Sequence, residues 1–100
     1  MKTGIAILVV SESSLKLSLT IAEHLPGSNL YSSFESIFTD TIPSIATFLK
    51  EHFNRFEAFV FVGSLGICVR SIAPFITDKH TDPAIVNIDS TGKYNVSVLS

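Results

Sequence analysis

Ala58-Phe59-Val60-Phe61-Val62-Gly63-Ser64-Leu65-Gly66 is the stretch whose reading decides the fold. Its apolar run ends sharply at Gly63. That length is too short for a comfortable helix and suits a strand buried on both faces, as in a parallel sheet. From Leu65, apolar residues recur at helical spacing through Val69 to Ile72. A strand, a glycine-bearing turn and a helix start are therefore compressed together, a common geometry for ligand sites in α/β proteins. Gly63 and Gly66 let the backbone approach a ligand closely, and the first free N–H groups of the helix can face an anion. Pro74 stops the helix and biases Ala73 away from helical angles.

Downstream lies a polar connection, Thr77-Asp78-Lys79-His80-Thr81-Asp82-Pro83, and then a second strand-like run, Ala84 to Asp89. Charges are sparse in the chain, yet Arg70, Asp78, Lys79, Asp82 and Asp89 all fall within this segment, which makes it the strongest functional signal. Ser90-Thr91-Gly92-Lys93 reads as a turn in which a glycine with positive φ is useful. Tyr94 to Val98 alternates apolar and polar residues, so it pairs with Ala84–Asp89 as an antiparallel hairpin at a sheet edge.

Upstream, Ile5 to Val10 is another all-apolar, β-branched run and a second central strand. Ser11-Glu12-Ser13-Ser14 offers groups that cap a helix lined by Leu15, Leu19, Ala22 and Leu25 and ended by Pro26-Gly27. With no glycine and no basic residue, this serine cluster reads as an ordinary strand-to-helix turn and not as a phosphate loop. Leu30-Tyr31-Ser32 forms a short strand, and Ser32 to Asp40 an irregular loop packed through its aromatics. Pro43 fits a first helical position, and Ile45, Phe48, Leu49, His52, Phe53 and Phe56 keep helical spacing. The order β-α-β-α-β-α-β-β implies one three-layer α/β domain over residues 1–100. Its sheet is mostly parallel, with helices on both faces and a C-terminal β-hairpin. The Ile5 and Ala58 runs should be adjacent or nearly adjacent at its centre.

A hydrophobic content of 46% against 16% charged residues excludes a disordered chain and favours a sheet with covered faces. So few charges also fit a surface that faces another domain. The net charge of −2 and the lack of a basic stripe argue against nucleic-acid binding. With Cys68 as the single cysteine no internal disulfide forms, so the chain reads as cytoplasmic. The apolar run Ile5 to Val10 falls short of a signal-peptide core, and no stretch approaches a membrane span.

Individual side chains each have a plain and a functional reading. Arg70 lies off the line of Leu65, Val69 and Ile72, and is either a surface arginine or a fork that holds a carboxylate through paired hydrogen bonds. Lys79 and His80 share that ambiguity. Asp82 before Pro83 can be turn chemistry. Asp89 ends a strand, where α/β folds tend to place reacting groups. Cys68 reads as a small buried apolar residue and not as a nucleophile. His52 reads as a partly buried, hydrogen-bonded core histidine. His24, His52 and His80 lack ligand-like spacing, so no metal site is expected.

Gly63-x-x-Gly66-Ile67-x-Val69-Arg70-x-Ile72-Ala73-Pro74, followed by Asp78-Lys79-x-Thr81-Asp82-Pro83-Ala84, resembles the N-terminal domain of the CbiG family, the cobalt-precorrin-5A hydrolases of anaerobic cobalamin synthesis. The resemblance covers the chain in layout and is specific from Gly63 to Asp89, with a weaker echo in Val98-Leu99-Ser100. It departs at Ser90, where the family usually has an acidic residue. The family also usually continues from Leu-Ser into Gly-His-x-Gly-Gly-Ala-Asn, so the chain reads as an N-terminal fragment of a longer protein. The resemblance implies hydrolysis of a corrinoid lactone with release of acetaldehyde. Gly63, Ser64, Leu65, Gly66, Arg70 and Lys79 would bind substrate, and Asp82 or Asp89 would act as base. No cofactor is implied, the cobalt being carried by the substrate. The implied partners are that substrate and the downstream part of the same protein, with the oligomeric state left open. The alternative is a substrate-binding or interface domain whose catalytic residues lie beyond Ser100. All these site residues are expected to converge on one concavity.

Overall fold

The computed structural model describes residues 2–99; the expected echo at Ser100 lies outside them. The elements, in chain order, are β1 (Ile5–Val9), α1 (Leu15–Glu23), β2 (Ser28–Ser32), β3 (Asp40–Thr41), α2 (Ile45–His52), β4 (Ala58–Val62), α3 (Leu65–Ile72), β5 (Ala84–Ile88) and β6 (Asn95–Leu99). The strands form one sheet in the order β3-β2-β1-β4-β5-β6. All neighbours are parallel except β5 and β6, which form the antiparallel hairpin. The two apolar runs, β1 and β4, are adjacent at the centre, with Ile5 opposite Ala58 and Val9 opposite Val62.

Because side chains alternate across a strand, β1 and β4 feed two cores at once. Ala6, Leu8, Phe59 and Phe61 pack with Phe48 and Leu49 of α2, Phe53, and Cys68 and Ile72 of α3. Ile7, Val9, Val60 and Val62 point to the other face, where Leu15, Leu17, Ile21 and Leu25 cover them. Helices therefore lie on both faces, two on one and one on the other. Full burial of a Phe, Leu or Ile contributes about 1.5–3 kcal/mol, and Phe59, Phe61, Leu8 and Leu49 are fully buried. These four anchor the two-helix face.

Several local expectations change. α2 ends at His52, and Phe53 and Phe56 pack from the turn that follows. Its start is capped by Ser44, whose Oγ accepts from Thr47 N–H at 3.0 Å, so Pro43 precedes the cap. The Ser11 and Ser14 hydroxyls accept no capping N–H. Instead Ser11 Oγ lies 2.9 Å from Ser13 Oγ and 3.3 Å from Ser14 Oγ, because the chain enters α1 through a tight 3-10 turn. His52 packs its ring 4.7 Å from that of Phe48 and near Phe56, so aromatic contact holds it. Ser32 to Asp40 is irregular as expected, with Asp40–Thr41 added as a two-residue edge strand.

On α3 the buried line is Cys68 and Ile72, while Leu65 is 41% and Val69 45% exposed. The helix has eight residues and is apolar on more than one side, so spacing alone misassigned its inward stripe. Gly92 has φ +75°, the positive value its turn requires. Among the described residues, no helix is long and apolar enough to cross a membrane.

The β4–α3 turn and the ends of the parallel strands

Strand order reverses between β1 and β4: the chain leaves β1 towards β2 and returns through α2 to β4 on its other side. In open α/β sheets, ligands bind in the crevice beyond the carboxyl ends of the strands at such a point. The residues there are Val10 and Ser11 after β1, and Gly63 and Ser64 after β4. A Cβ on Gly63 would lie 2.9 Å from Val10 Cβ, so only glycine lets these two chain ends approach. Ser64 caps α3, accepting from Ile67 N–H at 3.2 Å on its hydroxyl and from Cys68 N–H at 3.2 Å on its carbonyl. The N–H groups of Ser64, Leu65 and Gly66 have no acceptor among the described residues. Successive free donors at a helix start favour an anion.

Arg70 sits in the last turn of α3, but its side chain runs back along the helix. One guanidinium nitrogen lies 3.5 Å from where a Cβ on Gly66 would stand. Arg70 thus brings a charge to the first turn of the helix, within van der Waals distance of the Gly66 position. Asp89 follows β5 at this same end of the sheet, and Gly63 N–H donates to Ile88 carbonyl at 2.9 Å, tying the two strand ends together.

Lys79 and Asp82 lie elsewhere, so the expected single concavity does not form. α3 runs antiparallel to the strands and delivers the chain to their amino ends, roughly 16 Å away for a five-residue strand. There Asp82 precedes β5, and Lys79 and Asp82 share a small cavity with Ile76, Pro83 and Leu99. A larger cleft of about 360 Å³ lies at this amino end too, between Lys50 of α2, Phe53 and Arg55 after it, and Phe75 and Thr77 after α3. Chain proximity grouped Lys79 and Asp82 with the turn; the crossover separates them.

Both carboxylates are engaged in turns. Asp82 accepts from Thr77 N–H and Oγ1, each at 2.9 Å, and from Asp78 N–H at 3.1 Å. Burial pushes its pKa up, but those hydrogen bonds, with the Lys2 charge, outweigh it and leave the carboxyl below its ordinary value. Asp89 accepts from the Thr91 hydroxyl and from Thr91 N–H at 2.8 Å. The Thr91 hydroxyl is the main reason that its pKa is lowered, against a smaller opposing effect of burial. Cys68 is fully buried, and that burial pushes its thiol up to about 11, which suits a packing residue and not a nucleophile.

One feature escaped sequence reading. Asn87 is 2% exposed inside an otherwise apolar layer, and its Nδ2 donates to Gly63 carbonyl at 3.1 Å. A polar residue at the fourth place of the apolar run Ala84 to Ile88 was the one available signal.

The chain is similar to known proteins in the same region. Residues 47–100, from α2 through the last strand, match the family described as cobalamin synthesis G N-terminal. A cobalt-precorrin-5A hydrolase of Salmonella typhimurium is 43% identical over 51 residues, 51% of this chain and 14% of that protein. One from Priestia megaterium is 44% identical over 57 residues, 57% of this chain and 15% of that protein. The matches thus span about one seventh of those relatives. A cobalamin biosynthesis protein G homologue from Sulfolobus solfataricus, known from its crystal structure, superposes with a TM-score of 0.75 at 26% identity, covering 96% of this chain and 29% of that one. With more than half its length matched and the fold shared, this chain belongs to the cobalamin synthesis G N-terminal family.

Proposed function

We propose that this chain forms part of the substrate site of a cobalt-precorrin-5A hydrolase, the enzyme that opens a corrinoid δ-lactone and releases acetaldehyde. The observation that carries this reading is the family match over residues 47–100, which contains the β4–α3 turn, Arg70 and Asp89. The names of the two bacterial relatives support the reaction. Cobalt belongs to the substrate, and no separate cofactor is needed.

Lactone opening requires an activated water and donors aimed at the oxygen that gains charge. The N–H groups of Ser64, Leu65 and Gly66 are suited to that task, and the Arg70 guanidinium to holding a substrate carboxylate. Asp89, after β5, is a carboxylate at this end of the sheet. Lys79 and Asp82 would contact a different part of a wide substrate, or another part of the longer protein.

A second reading is favoured by the state of the carboxylates. Both accept hydrogen bonds within their own turns and have lowered pKa values, which makes each a weak base. The domain would then bind substrate while the base lies elsewhere in the full-length protein. The test is acetaldehyde release from cobalt-precorrin-5A by this chain and by the full-length enzyme, side by side. The binding reading predicts release only with the full-length enzyme. Comparable rates would place the whole catalytic apparatus within these residues.

A further inference from the structure

We infer that Asn87 is a positioning residue, whose amide sets the direction of the Ser64 N–H at the β4–α3 turn; the inference rests on the proposed role of that turn. Gly63 N–H donates to Ile88 carbonyl at 2.9 Å, so the β4–β5 ladder reaches as far as Gly63. In a parallel ladder the next donor for Gly63 carbonyl is the N–H two residues beyond Ile88. That donor is lost, because the chain turns away after Asp89: Asp89 N–H bonds to Tyr94 carbonyl and Gly92 N–H to Asp89 carbonyl. Asn87 Nδ2 supplies the missing donor at 3.1 Å.

The peptide unit is planar, so Gly63 carbonyl and Ser64 N–H point in opposite directions. Holding the carbonyl on Asn87 turns the Ser64 N–H away from the core, where it joins those of Leu65 and Gly66. The side chain that does this is poorly placed for stability alone. Asn87 is 2% exposed, and its Oδ1 is buried without a hydrogen-bond partner among the described residues. An unpaired buried acceptor is unfavourable and calls for an explanation. Orientation of the Gly63–Ser64 peptide is that explanation.

The test uses Asn87→Leu, which keeps side-chain size, removes the donor and also removes the unpaired oxygen. In this chain, the Ser64 N–H residual dipolar coupling reports the direction of that bond. It should change in the variant, while couplings across β1, α1 and α2 hold and the thermal midpoint stays within about 5 °C. In the full-length enzyme kcat should fall about 10- to 100-fold with KM within threefold, the pattern of a lost transition-state donor. Asn87→Asp should reproduce the kcat loss. An unchanged Ser64 coupling in folded Asn87→Leu would overturn the inference, as would a changed coupling with unchanged kcat. If the coupling and kcat change as expected while the wild-type amides of residues 64–66 ignore a corrinoid polycarboxylate such as cobyrinic acid, positioning stands and substrate contact at the turn fails.

Discussion

Replacing Gly63 by alanine tests the close approach that builds the crevice. The added Cβ would stand 2.9 Å from Val10 Cβ and 3.1 Å from Val10 Cγ2. Carbon atoms pack at about 3.5–4.0 Å, so the overlap is roughly 0.5–1 Å. Val10 Cβ is fixed by its backbone, and rotating the side chain cannot move it. Neither chain end is free to retreat: Val10 N–H donates to Val62 carbonyl at 3.3 Å, and Gly63 is held to both Ile88 and Asn87. Overpacking of this kind destabilises by about 1–3 kcal/mol, which for a domain near 100 residues lowers Tm by roughly 4–8 °C per kcal/mol. Urea unfolding of Gly63→Ala, Val10→Gly and the double variant measures it. The double variant should recover at least half of the loss at Gly63, as a favourable coupling. Stability of Gly63→Ala within about 0.5 kcal/mol of wild type would refute the argument.

Arg70→Ala in the full-length enzyme should lose about 1.5–3 kcal/mol of binding or transition-state stabilisation, the range for a charge-assisted hydrogen bond; steady-state kinetics with wild-type values in a folded variant would assign Arg70 to the solvated surface. Cys68, buried with its thiol near pKa 11, should resist a disulfide reagent at pH 8 in the native chain and react on unfolding; rapid native labelling would contradict its burial. Asp89 and Asp82 have lowered folded-state pKa values, so their stabilisation is fully present above the unfolded value of about 3.9 and is lost as pH falls through the folded values. Thr91→Ala should raise the Asp89 value towards normal in a carboxyl-carbon NMR titration, and an unchanged midpoint would remove Thr91 as the cause.

The centre of the fold was legible because Ile5–Val9 and Ala58–Val62 are apolar at every position, short and sharply bounded, a pattern that suits a doubly covered strand. The hairpin was legible from the alternation after Gly92. The inward stripe of α3 was not, since Leu65, Ile67, Cys68, Val69 and Ile72 offer several apolar lines over two turns. α2 was drawn too long because Phe53 and Phe56 keep helical spacing while packing from a turn. The candidate site was legible at Gly63–Gly66, where strand, glycine and helix meet. Its partition from Lys79 and Asp82 was not, because a helical crossover carries neighbours in sequence to opposite ends of a sheet. Asn87 was passed over because its partner, Gly63 carbonyl, belongs to another strand.

The most direct test of the account is an amide-shift map of this chain titrated with cobyrinic acid, a corrinoid polycarboxylate. Saturable shifts are expected, centred on Ser64, Leu65, Gly66 and Arg70 and reaching Asp89, with the Lys50–Arg55 cleft unmoved. Shifts confined to that cleft, or to Lys79 and Asp82 at the amino ends of the strands, would contradict it.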